Sequence, residues 1–206
     1  MIHIIITTSI YDKVYGRNDN HRQNTYVESI QHLLNLIKNM EDIKPIIVEN
    51  NGLRETYLND FNCDVCYTYN NIVDFENKGG NELLDIKEII KRYNILEDDF
   101  IIKITGRYKL LNLNFINLVK QNIQKYEAFV KFFNVCTEEY TFYDCIMGLY
   151  CIKCKYIQSF NYNFIKSPEC EFAEYIRNNI DPHKIMEITQ LDLECCFADD
   201  LRILIV

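Results

Sequence analysis

The residues with the strongest chemical signature are Lys103, Thr105, Gly106 and Arg107, set in the run Phe100-Ile101-Ile102-Lys103-Ile104-Thr105-Gly106-Arg107-Tyr108. A short apolar run closed by a glycine reads as an interior strand that ends in a turn. A lysine inside such a run is costly unless its ammonium finds a partner. In open α/β sheets ligands bind beyond the carboxyl ends of the strands. Lys103 and Arg107 are therefore expected to meet an anion there, and a phosphate suits them best. The plain alternative is a surface turn with Arg107 in water and Lys103 at an edge.

Other strand ends and loops carry groups that would join them. Thr7, Thr8 and Ser9 offer hydroxyls and backbone amides for a nucleoside or a phosphate. Glu49, Asn50 and Asn51 follow the second expected strand, where a carboxylate often binds ribose hydroxyls. Asn77-Lys78-Gly79-Gly80-Asn81-Glu82 reads as a glycine loop opening onto a helix. Its amides and the helix N-terminus favour an anion, and Lys78 adds a point charge. A simple helix start, with Asn81 as cap, explains the same residues. The phosphate-loop order Gly-Lys-Ser/Thr and the pattern Gly-x-Gly-x-x-Gly are both absent. Arg17, His21 and Arg22 lie around the start of the first helix and either face the same place or stay solvated.

The elements that must position these groups follow from apolar spacing. Strands are expected over residues 2–8, 45–48, 63–69, 100–105, 129–135, 143–153 (interrupted at Gly148) and 201–206. Helices are expected over 22–40, 53–60, 83–93, 112–125 and 169–178, the last started by Ser167-Pro168. Residues 185–194 fit either type. Early strands alternate with helices, which implies βαβ units and a mostly parallel sheet; the second half is less regular.

The chain has 206 residues and a net charge of −8. That length suits one domain, and that charge argues against a surface that coats nucleic acid. No apolar run approaches the roughly 18 residues needed to span a bilayer. The first residues lack the charged start and cleavage site of a secretion signal, so a reduced, cytoplasmic setting is expected for the nine cysteines. Cys63-x-x-Cys66 and Cys151-x-x-Cys154 raise a four-thiolate zinc site. Both pairs fall in expected strands, where positions three apart point to opposite faces, which favours buried thiols.

The Thr-Thr-Ser-Ile strand end, Glu-Asn-Asn-Gly, Asn-Lys-Gly-Gly-Asn-Glu and above all Lys-Ile-Thr-Gly-Arg-Tyr together resemble small GT-A-type glycosyltransferases of bacterial polysaccharide loci and large DNA viruses. The resemblance spans roughly residues 2–110. It implies an α/β, GT-A-like (Rossmann-like) fold: a mixed, mostly parallel sheet flanked by helices in a single domain, 1–206. Residues 1–110 would bind a nucleoside-diphosphate sugar, and 111–206 would face a glycan or glycoconjugate acceptor, in the cytoplasm of a cell or of a viral host. Thr7, Thr8, Ser9, Arg17, Glu49, Asn50 and Asn51, with Lys78, Gly79, Asn81, Lys103, Thr105, Gly106 and Arg107, would form the donor site.

One departure matters. Enzymes of this type usually hold a divalent metal (Mn or Mg) on an Asp-x-Asp motif at a central strand end, and this chain has no Asp-x-Asp. Asp98-Asp99 and Asp199-Asp200 both precede strands. Fixed cations, with Arg107 forking onto two phosphate oxygens, would replace the metal; a lone carboxylate with His183 is the metal-dependent alternative. Inverting transfer needs a carboxylate to take the acceptor proton. Asp144, Glu169 and Glu171 are the candidates, although acidic residues at a helix start are also favoured by the dipole. Tyr156, Phe160, Tyr162 and Phe164 would offer either a stacking platform for an acceptor sugar or core. A nucleotidyltransferase and a non-catalytic nucleotide- or sugar-binding module are the alternative functions.

Overall fold

The computed structural model describes residues 1–11, 20–52, 54–72, 78–197 and 202–206. Seven strands form one sheet: β1 (Ile2–Thr8), β2 (Ile43–Glu49), β3 (Asp64–Tyr67), β4 (Phe100–Thr105), β6 (Ala128–Val130), β7 (Leu149–Lys153) and β8 (Ile185–Glu187), in the order β3-β2-β1-β4-β7-β6-β8. All run parallel except β7, which is antiparallel to both neighbours. A second, antiparallel sheet has the order β10-β9-β5, from β5 (Lys109–Leu110), β9 (Leu193–Cys196) and β10 (Ile203–Ile205).

Helices cover both faces of the large sheet, which is why its central strands β1 and β4 are buried at every position rather than at alternate ones. Ile4 and Ile6 of β1 and Ile102 and Ile104 of β4 pack towards α1 (Asn20–Ile37) and α3 (Asn114–Asn122). Ile5 and Ile101 pack on the other face, towards α2 (Lys78–Arg92), the short α4 (Cys154–Ser159) and α5 (Pro168–Asn179). Each isoleucine buried this way contributes about 1.5–3 kcal/mol. Lys103 shares the α2 face with Ile101 by period-two alternation, so its charge is delivered beneath a helix.

Several boundaries differ from the sequence reading. The helix expected from residue 83 starts at Lys78, so Gly79, Gly80 and Asn81 lie within the first turn of α2 instead of forming a loop. Glycine is tolerated there because the first turn's N–H groups have no intrahelical partner to lose. The strand expected over 129–135 ends at Val130, and only the second half of 143–153 is strand. Between them lies a long excursion held by a turn at Asn134, whose side chain accepts from the N–H of Cys136 (2.9 Å) and Thr137 (3.2 Å). The ambiguous 185–194 segment splits into β8 and the start of β9. Ser167 caps α5 as its Ser-Pro signal implies, accepting from the Cys170 N–H at 3.3 Å.

Candidate functional site

Parallel order brings the carboxyl ends of β1, β2, β3 and β4 to one pole, and the reversed β7 enters from that same pole. The Thr105 N–H donates to the Gly148 carbonyl (3.0 Å), and the Gly106 N–H to the Thr7 carbonyl (2.8 Å). Thr7, Thr8, Ser9, Glu49, Asn50, Asn51, Thr105, Gly106 and Arg107 thus converge as their shared strand ends require. Gly106 is there for packing. A Cβ on it would lie 2.8 Å from the Thr8 methyl and 3.1 Å from the Thr7 carbonyl oxygen.

Two buried carboxylates organise this pole. Glu49 is fully buried and its oxygens are filled by the chain itself. It accepts from the Thr8 hydroxyl (2.8 Å), the Ile10 N–H (3.1 Å) and the Asn51 amide (2.5 Å). It therefore ties the loop after β1 to the loop after β2, and its contacts are not those expected of a ribose ligand. The second carboxylate, Asp85 of α2, was invisible in the sequence reading. It accepts from Thr68 (2.6 Å), Asn70 (2.8 Å) and Asn50 (3.0 Å). Burial pushes its pKa up to about 7 against the pull of those three donors. Thr8 and Asn50 are likewise bonded inward. Asn51 sits at the half-buried rim, where its Oδ1 accepts from Asn71 (2.6 Å), and Asn81 donates to the Asn70 carbonyl (3.0 Å).

Lys103 is 1% exposed and fully coordinated. Its ammonium meets Glu82 Oε2 at 2.6 Å, the Thr105 hydroxyl at 2.7 Å and the Met147 carbonyl at 2.8 Å. The expectation that Lys103 meets a phosphate directly is corrected: the anion it meets is Glu82, one helical turn into α2. The Lys-Gly-Gly-Asn-Glu motif contains Glu82 but does not mark it as a partner of Lys103, because that partner is remote in the chain. Its side chain, 21% exposed, is the open end of this ion pair. Glu82 also sits near Asp85, Arg107, Tyr108, Tyr150 and Glu169, all of which feel its charge.

Arg107 is half-buried. Its Nε donates to the Cys196 carbonyl (2.8 Å), and its guanidinium lies 5.1 Å from the Tyr108 ring centre and reaches the Tyr26 hydroxyl. Burial opposes its charge, yet Tyr108, Tyr26 and Glu82 together hold its pKa above the usual arginine value. Arg22 is buried and grips the Ser9 carbonyl through Nη2 (2.6 Å), so it is not a solvated helix-start cation. Lys78 opens α2 beside this pole. Arg54, not anticipated, lies 4.2 Å over the Tyr11 ring, and its Nη2 is buried with no hydrogen-bond partner among the described residues. Arg17 lies outside the described residues, as does the Asp199-Asp200 pair.

On the other side of the pole, Asp144 is half-buried just before β7 and Glu169 opens α5. The Cys145 thiol donates to the Glu169 carbonyl (3.4 Å). Burial raises the pKa of both carboxyls, and in Glu169 the charges of Asp144 and Glu82 add to the effect. Glu171 departs from this group. It accepts from the N–H groups of Asn163 (2.7 Å), Ile165 (2.7 Å) and Lys166 (3.1 Å), which outweigh burial and lower its pKa. It shapes its own loop. Of the aromatic residues at 156–164, Tyr156 donates to Glu127 (2.5 Å) at the far pole and Phe160 is core, as the second of the two readings has it, while Phe164 is exposed and packs on Tyr162 (ring centres 4.4 Å).

The implied metal can be tested on the donor set. The end of β4 presents Thr105, Gly106 and Arg107, with no carboxylate. His183 stands before β8, at the opposite pole. Among the described residues no three His, Cys, Asp or Glu side chains stand close enough to share a metal ion. These residues do not fit a metal at the strand end. All nine cysteines are free thiols, and Cys66 accepts from Arg92 (2.8 Å).

No family model and no curated protein sequence matches the chain. Solved structures do. A protein described as a nucleotide-diphospho-sugar transferase from Desulfovibrio desulfuricans G20 superimposes with TM-score 0.56 at 9% identity, over 91% of this chain and 79% of that one. Residues 1–349 of S. aureus TarS give 0.53 at 11%, over 91% of this chain and 58% of that one, so this chain spans little more than half of that length. CMP:2-keto-3-deoxy-manno-octonic acid synthetase complexed with CTP gives 0.51 at 13%, over 91% and 88%. At these identities the likeness is one of fold. The chain has the α/β fold of nucleotide-diphospho-sugar transferases. No helix among the described residues is long and apolar enough to cross a membrane.

Proposed function

We propose that this protein is a glycosyltransferase that binds a nucleoside-diphosphate sugar at the carboxyl pole of β1–β4 and passes the sugar to an acceptor hydroxyl. The observation that carries the reading is the asymmetry of that pole. Arg54, Arg107 and Lys78 stand on the β1–β4 side, where the Glu49 and Asp85 carboxylates are filled by the chain's own donors, while two desolvated carboxyls, Asp144 and Glu169, stand across from them with Glu82 between.

In the step this arrangement supports, Asp144 or Glu169 takes the proton of the acceptor hydroxyl. The acceptor oxygen bonds to the anomeric carbon as the carbon–oxygen bond to the diphosphate breaks, and the diphosphate leaves with the electron pair. Arg107, with Lys78, would stabilise the departing charge. Lys103 acts at one remove: it fixes Glu82 and the Met147–Gly148 turn, against which the donor would rest. Thr8, Ser9 and Asn51 would frame the nucleoside, with Glu49 holding their loops in place. A carboxyl raised by burial is a better proton acceptor near neutral pH than an ordinary one.

The nucleotidyltransferase alternative draws on the likeness to a synthetase bound to CTP. Thermal shift of the purified chain against nucleoside di- and triphosphates and their sugars, with and without Mn²⁺, separates the two. Stabilisation by one diphosphate family and its sugars supports the glycosyltransferase reading, because a ligand that binds only the folded state raises its Tm. Stabilisation confined to CTP or another triphosphate favours the alternative, and no shift across the panel removes both. Arg107→Ala should abolish the diphosphate shift; an unchanged shift would sink the assigned anion site.

A further inference from the structure

Large apolar side chains are conspicuously exposed beside Asp144. Tyr140 is 61% exposed, Phe142 48% and Tyr143 45%. They occupy the excursion between β6 and β7, which opens at the same pole as the candidate site. Exposed rings on a floppy loop would mean little. Two of these rings are held by one residue of α5, and the third packs on one of the two. The Arg177 guanidinium is sandwiched between Phe132, 3.6 Å from its ring centre, and Phe142, at 4.1 Å. Its Nη1 donates to Glu187 (2.6 Å) and its Nη2 to the Tyr140 hydroxyl (3.3 Å). Phe142 and Tyr143 pack edge to face at 4.6 Å. The Asp144 N–H donates to the Thr141 carbonyl (3.3 Å), which joins the ring surface and the carboxyl in one turn. About half of each ring stays in water next to a half-buried carboxyl, and a contiguous exposed apolar patch of this kind marks a contact surface.

We propose that Tyr140, Phe142 and Tyr143 form the acceptor platform, and that its occupant is a carbohydrate. This rests on the glycosyltransferase reading. A sugar ring presents a flat apolar C–H face to an aromatic ring while its edge carries hydroxyls. Stacked here, it turns one of those hydroxyls towards Asp144 and Glu169. A nucleic acid would be repelled by a chain of net charge −8 with two more carboxylates at the contact. Rigid aromatics give contact area at little entropic cost. Tyr140, Phe142 and Tyr143 are therefore binding residues of the acceptor, and Arg177 positions them.

The test uses the full chain with immobilised oligosaccharides of varied composition as the probe, in the presence of the nucleoside diphosphate that gives the largest thermal shift. Retention of the wild type on one glycan class, lowered about tenfold or more in Tyr140→Ala/Tyr143→Ala, is expected. Tyr140→Phe/Tyr143→Phe keeps the stacking faces and should retain the glycan. The nucleoside-diphosphate shift in Tm should be the same in all three proteins, which also shows that they fold. Absence of retention by the wild type, or equal retention by the alanine variant, overturns the platform. If no nucleotide shifts the Tm but glycan retention is present and lost in the alanine variant, the carbohydrate platform stands and the transferase reading falls.

Discussion

The two sides of the strand pole solve different problems with different residues. On the β1–β4 side nearly every polar group is spent on another: Glu49 on Thr8, Ile10 and Asn51, Asp85 on Asn50, Thr68 and Asn70, Lys103 on Glu82, Arg22 on Ser9. On the β6–β7–α5 side the Asp144 and Glu169 carboxyls are desolvated without salt partners of their own among the described residues, and aromatic rings stand in water. A densely cross-bonded surface suits a ligand of fixed shape and charge, because its donors are held in place before binding. A surface of rings and perturbed carboxyls suits a ligand that must be stacked, turned and deprotonated. On the proposed reading, the first side holds the donor and the second carries out the transfer.

The largest expected effect would break the reacting side. Asp144→Asn or Glu169→Gln should lower turnover by about 10²–10⁴-fold, the usual worth of a positioned base, while leaving the nucleotide shift in place. Because burial raises both carboxyls, the wild-type rate should already fall on acidification at a pH above the ordinary carboxylate range, where the base becomes protonated. A pH–rate profile that stays flat down to ordinary carboxylate pKa values would remove both residues as the base.

On the holding side, Lys103→Met leaves the Glu82 carboxylate without its buried cation and should cost about 3–5 kcal/mol in urea unfolding. Lys103→Met combined with Glu82→Gln should recover part of that loss. A double variant no more stable than the single one would mean that the ion pair does not organise this pole. Next in size is Gly106→Ala, about 1–3 kcal/mol, because its methyl meets the Thr7 carbonyl and the Thr8 methyl at the β1–β4 junction.

A further expected effect concerns pH and stability. An unfolded aspartate titrates near 3.8, whereas Asp85 in the fold titrates at about 7. Between those values the folded protein holds a proton that the unfolded chain has lost. Stability from this group should therefore fall as pH rises from about 4 to about 7 and level off above. Asp85→Asn should flatten that part of the Tm–pH curve; an unchanged slope would place the coupling elsewhere.

What was legible in the sequence was what local pattern controls. The apolar runs of β1, β2 and β4, the periodic face of α1, and the Ser167-Pro168 start of α5 read correctly because each depends on neighbours within a few residues. Parallel order then followed from alternation, and with it the gathering of Thr8, Glu49 and Arg107 at one pole. The chain also showed that Lys103 must have a partner, since a buried ammonium without one is too costly.

Which partner it has was decided only by the tertiary structure. Glu82 lies 21 residues away, and nothing in its spacing distinguishes it from Glu171, which spends its charge on three nearby N–H groups. The sandwich of Phe132, Arg177 and Phe142 joins positions up to 45 residues apart, so no periodicity could announce it. Patterning specifies which faces are buried, because water drives every apolar run in the same way. The pairing of individual charges and rings depends on which elements the folded sheet and its helices bring within a few ångströms.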